Sequence, residues 1–491
     1  MSTDSELAPV AAVVVLAAGG GTRMKSAKSK LLHEVAGKPM LSFAVSAAAA
    51  LDPEHLVVVV GHLREQVEAQ LEQLSAAVTT AVQDQQLGTG HAVACGLAGL
   101  GQLEGEVVVT YADVPMLTGD TLRDLVSTHR GNLNAVTILT AEVEDPTGYG
   151  RIVREGEAVT SIVEHKDASD AQLAITEINS GIYVFDAATL RDGLASLTTD
   201  NAQGEQYLTD VVHFAAQRSQ RVGAHVIDDV WQTEGVNDRV QLARMNAEMN
   251  RRIRDAWMRE GVTMIDPTST WIDVDVDLAQ DVTLLPGVIL QGATTIGEGA
   301  TIGPDTTLMD VEVGPRAEVT RTHGSFAVVG EEASVGPFSY LRPGTILGKG
   351  GKIGAFVETK NATIGDGAKV PHLAYCGDAV VDDGANIGAG TIFANYDGIK
   401  KSTTHVGKNA FVGSNSVLVA PVDIGPGALV AAGSAITEDV PAGALGVARG
   451  RQRNVEGWVN DRRPTSKQAA AAADSDGAIH PAVLESRKKK A

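Results

Sequence analysis

An aliphatic residue at every sixth position, held through Val406, Val412, Leu418, Ile424, Val430 and Ile436, leaves a chain few ways to fold. The period is neither the 3.6 of a helix nor the 2 of a half-buried strand. Gly407, Gly413 and Gly425 follow three of these positions, and the small residues Ala410, Ser416, Ala428 and Ser434 sit four places after four of them. Earlier fragments keep the spacing: Ile296, Ile302 and Leu308; Val329, Val335 and Leu341; Ile364 and Val370; Val381 and Ile387. A run this long specifies a hexapeptide solenoid, in which three hexapeptides make one triangular coil and each aliphatic side chain points inward. Residues 262–460 are therefore expected to form a left-handed parallel β-helix of about ten coils. Ile387 and Val406 stand 19 positions apart, one more than three hexapeptides, so a small loop should protrude near FANYDGIKKS (393–402). The register is less regular at Arg342-Pro343 and at 361–363.

Residues 1–236 have a different texture. Short β-branched runs (VVVLAAG, HLVVVVG, EVVVTYADVP, AVTILTAEV, SGIYVFD) alternate with helix-like stretches such as REQVEAQLEQL and GHAVACGLAGL. That alternation predicts an α/β domain with a Rossmann-like, mostly parallel sheet covered on both faces. Ligands in such sheets bind at the carboxyl ends of strands. Residues 237–261 read as a charged linker helix, free of glycine and proline until Gly261. It has Val240, Ala243, Ala247 and Asn250 on one face and Leu242, Met245, Met249 and Ile253 on a more apolar one. The tail, 461–491, shows no core pattern; it reads as disordered, with an alanine-rich helix as the alternative and its terminal RKKK a solvated run.

Charge and cysteines narrow the function. The formal charge is −21, from 40 basic and 61 acidic side chains, which makes the chain a poor nucleic-acid binder. Any phosphate site must then be a local basic cluster in an acidic body. Cys95 and Cys376 are too few and too far apart for a disulfide framework or a zinc finger. Residues 1–9 lack a basic n-region, and the apolar run after them ends in glycines, so no leader and no membrane span is expected. A cytoplasmic enzyme is the expectation.

The basic cluster is LAAGGGTRMKSAKSK (16–30), directly after an apolar strand. It lacks the Gly-Lys-Ser/Thr of a P-loop, and Met24 occupies the last glycine position of a dinucleotide fingerprint. Three bare glycines would suggest only a tight turn. Arg23, Lys25, Lys28 and Lys30 beside that turn place cations next to backbone amides, which suits a triphosphate.

LAAGGGTRM with Lys30 resembles the signature of nucleotide-sugar pyrophosphorylases. The resemblance continues through QLGTGHA (86–92), YADVP (111–115), GYGRIV (148–153), IVEHKDA (162–168), EINSGIY (177–183) and GVNDR (235–239). Joined to a hexapeptide solenoid, the chain resembles the bifunctional N-acetylglucosamine-1-phosphate uridyltransferases and glucosamine-1-phosphate acetyltransferases of bacterial cell-wall synthesis. The likeness runs from about Val13 to Trp458. It implies UTP, acetyl-CoA, glucosamine 1-phosphate and N-acetylglucosamine 1-phosphate as substrates, Mg2+ as cofactor, and a homotrimer through the β-helix.

For nucleotidyl transfer the resemblance implies Asp113 and Asn237 as metal ligands, Arg23 on the transferring phosphate and Lys30 on phosphates. Leu16, Ala17, Ala18, Gly19, Gln83, Gly88, Thr89, Tyr111 and Ala112 fall to UTP, and Gly150, Glu164 and Asn179 to the sugar. On position alone, Asp113 at the end of its strand reads equally as a turn-capping carboxylate. In the solenoid, KVPHLAYCGDA (369–379) breaks the hexapeptide rule. The resemblance makes His372 the base for the glucosamine amine, a task that suits a histidine near neutral pH. Arg342 and Lys360 fall to the sugar phosphate, Tyr375 and Asn386 to the sugar. Ala389, Asn395, Tyr396, Ser414, Ala432 and Arg449 fall to acetyl-CoA, and Trp458 is the candidate to complete a neighbour's site. Three other readings compete: a pyrophosphorylase for a different sugar, a non-catalytic regulatory subunit of a translation guanine-exchange factor, and a γ-class carbonic anhydrase. His372, Tyr375 and the NYDG loop oppose the first, and Arg23, Lys30, Asp113 and Asn237 together oppose the second. The third needs three converging histidines, whereas His323, His372 and His405 are scattered.

Overall fold

The computed structural model describes residues 9–156, 158–475 and 477–489. The first expectation, a sheet with two covered faces, is met at the level of single side chains. Strand Ala12–Ala17 alternates its residues between two cores: Val13, Val15 and Ala17 face one, and Ala12, Val14 and Leu16 the other. Its register runs parallel to His55–Val60 on one side and to Glu106–Tyr111 on the other. Helix Met40–Ala49 packs on the first face and Thr89–Leu97 on the second. Glu177–Asp186 enters antiparallel between Glu106–Tyr111 and Val136–Glu142, so the sheet is mixed at that edge. A hairpin, Arg151–Glu155 with Ala158–Val163, hangs from it.

The linker helix runs Arg239–Arg259, two residues inside its expected start, because the Asp238 carboxylate accepts from the amides of Val240 and Gln241 and caps it there. Met245, Leu242 and Met249 close a small core with Met40 and Val236, while Ile253, Trp257 and Met258 pack on the solenoid. Val240, on the less apolar of the two faces, is 70% exposed. The buried Asn250 is satisfied: its amide donates to Thr270 O and its oxygen accepts from Ile272 N. Lys38 pairs with Asp275, and Ala36 N donates to Asn246, so the strut binds both halves.

From Thr263 the chain winds into parallel ladders, an eleven-stranded sheet and a fifteen-stranded one that bends round the remaining faces. Every aliphatic residue of the six-residue register is buried in a single core. Fully burying one such side chain contributes about 1.5–3 kcal/mol, so the register cannot slip by a residue without turning that whole stripe outward. The hydroxyl of Ser416 is buried but donates to Gly413 O at 2.6 Å, which explains the small polar residues at the corners.

The loop lies where expected but is larger than expected. Val381 pairs with Val406 and Ile387 with Val412, each 25 positions on, whereas neighbouring coils advance by 16 to 18. The insertion is therefore seven residues, not one. His405 clasps this irregular coil to its neighbours, with Nε2 3.0 Å from Asp382 and Nδ1 2.7 Å from Asp423. Burial lowers its pKa, but the hydrogen bonds and charges of Asp382 and Asp423 outweigh that, and the net shift is upward. The clasp thus stabilises most below the ordinary histidine value, about 6.5, and its contribution is lost as pH rises through the raised value. The Tm difference between wild type and His405→Gln should accordingly shrink from pH 6 to pH 9 (about 6.5 is the crossover without the aspartates); a difference that grows with pH would refute the assignment.

The tail carries local helix, the alanine-rich alternative to disorder. Lys467–Ala473 and Pro481–Lys488 are short helices, the first capped by Ser466 and driven by its alanine run. Among the described residues of the tail only Ala469 is buried, in keeping with the absence of a core pattern. Residues 1–8, 157, 476, 490 and 491 lie outside the described residues. Among the described residues no helix is long and apolar enough to cross a membrane.

Candidate active sites

The glycine-rich loop leaves strand Ala12–Ala17 at the carboxyl edge of the sheet and makes a 3-10 turn at Thr22–Met24. Gly21 has φ +56°, and a Cβ there would stand 2.8 Å from Lys30 Cβ, so only glycine lets Lys30 close on the turn. Gly19 has no atom within 4 Å of such a Cβ and leaves its backbone open to a ligand. The four cations separate. Arg23 and Lys25 are exposed. Lys28 pairs with Glu34 at 3.6 Å on the surface. Lys30 turns inward, with Nζ 2.5 Å from Asp113 Oδ2 and 3.1 Å from Asn237 Oδ1. Two hard oxygens far apart in sequence, at Asp113 and Asn237, thus converge on one cation, and a divalent ion that prefers oxygen fits that donor set.

Two cavities meet at Tyr111 and Asp113. One, about 280 Å3, is lined by Leu16, Ala17, Ala18, Gly19, Lys30, Gln83, Gly88 and Thr89. The other, about 370 Å3, is lined by Arg23, Tyr149, Ser180 and Asn237. Ala112 is fully buried in the core and lines neither cavity. Gly150, Glu164 and Asn179 gather beside the second cavity: a Cβ at Gly150 would meet Asn179 Cβ at 3.5 Å and Glu164 Oε1 at 3.6 Å. Burial, with Asp167 and Asp210 nearby, raises the Glu164 carboxyl. Gln86 and Glu205 also line the first cavity and were not found by sequence reasoning, although Gln86 opens the QLGTGHA motif.

In the solenoid the scattered sequence positions become two ladders. Lys369 pairs with Asn386, Ile387 with Val412 and Val412 with Val430, so His372, Ala389, Ser414 and Ala432 hold one rung position on successive coils. Gly390 N donates to His372 O, and Gly433 N to Ser414 O, along the same corner. Arg449 follows on the next coil. His372 is exposed, next to the exposed Leu373. On the adjoining face Leu341 pairs with Thr359 and Lys360 with Gly377, which puts Arg342 directly above Lys360. A Cβ at Gly377 would lie 2.3 Å from the Tyr375 hydroxyl, so that glycine makes room for the ring. Arg342 bonds Glu358 at 2.8 Å, and Lys360 meets Lys401 of the protruding loop, whose charge, with that of Arg342, lowers its pKa. Three cations crowded this closely call for an anion. Asn395 donates to Tyr375 Oη at 3.4 Å and to Asp378, while Asp378 also accepts from Asn361. Lys401 and Asp378 have no signal in the repeat, since the loop that brings Lys401 in is an insertion. Tyr396 lies on the same loop, bridged to Lys401. Among the described residues no three histidines come together, and no group of three or more His, Cys, Asp or Glu could hold a metal.

The MobA-like NTP transferase domain matches residues 13–209, and the hexapeptide repeat of succinyl-transferase matches 404–438. The bifunctional protein GlmU of Cutibacterium acnes is 67% identical over 391 residues, covering 78% of this chain and 94% of that protein. GlmU of Corynebacterium jeikeium is 55% identical over 94% of this chain and 95% of its own. This chain belongs to the bifunctional GlmU family. GlmU of Pseudarthrobacter chlorophenolicus, 54% identical, covers 97% of this chain and 98% of its own, so both halves and the strut are shared throughout. The chain is a bifunctional transferase: it acetylates glucosamine 1-phosphate and uridylates N-acetylglucosamine 1-phosphate.

Proposed function

We propose that the two sites act in sequence and that the residues gathered above carry the chemistry. At the solenoid, the Arg342, Lys360 and Lys401 cluster holds the phosphate of glucosamine 1-phosphate, and Tyr375 and Asn386 hold the sugar. Acetyl-CoA lies along the ladder of Ala389, Ser414 and Ala432, with Asn395, Tyr396 and Arg449 at its sides. His372 heads that ladder. Its ring takes the proton from the amine as the nitrogen attacks the thioester carbonyl, and CoA leaves as the thiol.

The product enters the first half with its phosphate oxygen as nucleophile. That oxygen attacks the α-phosphorus of UTP, and pyrophosphate departs; catalysis is positioning and charge neutralisation. Leu16, Ala17, Ala18, Gly19, Gly88, Thr89 and the Gln83 amide hold the nucleotide, and the exposed Arg23 guanidinium meets the transferring phosphate. Glu164, Asn179 and the backbone of Gly150 hold the sugar. Asp113 and Asn237 would hold Mg2+, which supplies charge neutralisation at the phosphates. The observation that supports this reading best is the convergence of the Lys30 ammonium on the Asp113 and Asn237 oxygens. The flat faces of the solenoid associate as a homotrimer in the cytoplasm, with Trp458 near a neighbour's acetyl site.

The decisive assay supplies glucosamine 1-phosphate, acetyl-CoA, UTP and magnesium and follows free CoA and pyrophosphate separately. CoA release is expected without UTP, whereas pyrophosphate release from glucosamine 1-phosphate is expected only when acetyl-CoA is present. Pyrophosphate release without acetyl-CoA would refute the order.

A further inference from the structure

Gln83 sits just beyond strand Thr79–Val82, 6% exposed, with its backbone N bonded to Val60 O at 2.8 Å. Its side-chain Nε2 lies 3.0 Å from Gly88 O and 3.2 Å from His91 Nδ1. A carbonyl can only accept, so Gly88 fixes which end of the amide is nitrogen. The second amide hydrogen then points at Nδ1, which makes Nδ1 the bare acceptor and leaves the ring hydrogen on Nε2. That nitrogen stands 3.7 Å from Cys95 Sγ, one turn further along helix Thr89–Leu97. Both amide hydrogens are thus consumed inside the protein. Gln83 lines the nucleotide cavity, and among the described residues no donor is recorded for its Oε1.

We propose that His91 is a positioning residue that fixes the Gln83 amide with its oxygen toward the base, and so sets the preference of the uridyltransferase for uracil over cytosine. This rests on the reading of Gln83 as the contact to the base. Uracil presents a donor at N3, which an amide oxygen accepts; cytosine presents a bare N3, which the same oxygen repels. A flipped amide would welcome cytosine. The flip is opposed by Gly88 O and, with the ring hydrogen on Nε2, by His91 Nδ1, each of which would then face the amide oxygen. Gly88 holds its carbonyl at φ +109° where a Cβ would stand 2.6 Å from Gln206 O, so its half of the clamp is built into the backbone. His91 is the half that a side-chain change can remove.

The test compares UTP with CTP in the full-length protein, with N-acetylglucosamine 1-phosphate as acceptor. His91→Phe keeps a ring of similar size without the acceptor; His91→Asn restores an oxygen close to the position of Nδ1. For His91→Phe the UTP-to-CTP ratio of kcat/KM should fall about five- to tenfold, the worth of one hydrogen bond, with the change carried by KM. His91→Asn should recover most of it. An unchanged ratio in His91→Phe, or an equal fall in both variants, would overturn the proposal, the second outcome meaning that His91 only packs. Gln83→Ala separates premise from proposal. If it leaves the ratio unchanged, Gln83 does not read the base and both statements fall. If it lowers the ratio while His91→Phe does not, only the role of His91 falls.

Discussion

His372→Ala should release no CoA above background from acetyl-CoA and glucosamine 1-phosphate, yet still release pyrophosphate from UTP and N-acetylglucosamine 1-phosphate at nearly the wild-type rate. A positioned general base is worth about a hundredfold to ten-thousandfold, and no neighbouring side chain can replace it. Tyr375 is engaged by Asn395, and Lys360 and Lys401 are cations that repel further positive charge. The ring is exposed and no hydrogen bond to it is recorded among the described residues, so its loss leaves no buried group unsatisfied. Stability should move by no more than about 0.5 kcal/mol. The two activities separate because the sites stand on different cores, one inside the solenoid and the others on the two faces of the first sheet. Intact acetyl transfer by this variant would end the assignment of His372 as the base.

Much of this arrangement is legible in the chain, and the parts that are not have physical reasons. The hexapeptide register could be read because burial acts on every sixth side chain independently, and all of those aliphatics are buried. The size of the loop could not. A repeat of six cannot tell an insertion of one residue from an insertion of seven, since both return Val406 to an inward position. Only the pairing of Val381 with Val406 decides. In the first half, LAAGGGTRM and YADVP mark local turns at strand ends, which a sequence shows directly. The role of Lys30 depends on Asp113 and Asn237, 83 and 207 positions away, so its inward turn appears only when the strut folds back. Lys401, Asp378, Glu205 and His91 escaped for the same reason: each acts through a partner that the fold supplies.

The second large effect is expected at Asp113. Asp113→Ala should lower uridyl transfer by at least about a hundredfold, the scale for removing one charged group from a preorganised transition-state site, and leave acetyl transfer unchanged. Two consequences compete in that variant. The carboxylate is lost from the donor set around the cation, and Lys30, whose side chain is only 11% exposed, is left with Asn237 Oδ1 as its recorded partner. Breaking a partly buried contact to a charged group costs about 1–3 kcal/mol, so part of any activity loss could reflect a loosened loop. Asp113→Asn resolves this. Its amide oxygen can still accept from Lys30, so the loop keeps its anchor, but the negative charge is gone. If Asp113 acts by holding a divalent cation, Asp113→Asn melts near wild type, needs far more magnesium for half-maximal uridyl transfer, and stays slow. If Asp113 only anchors Lys30, Asp113→Asn retains wild-type activity and magnesium dependence. A loss of both activities in a variant with an unchanged Tm would sink the two-site description altogether.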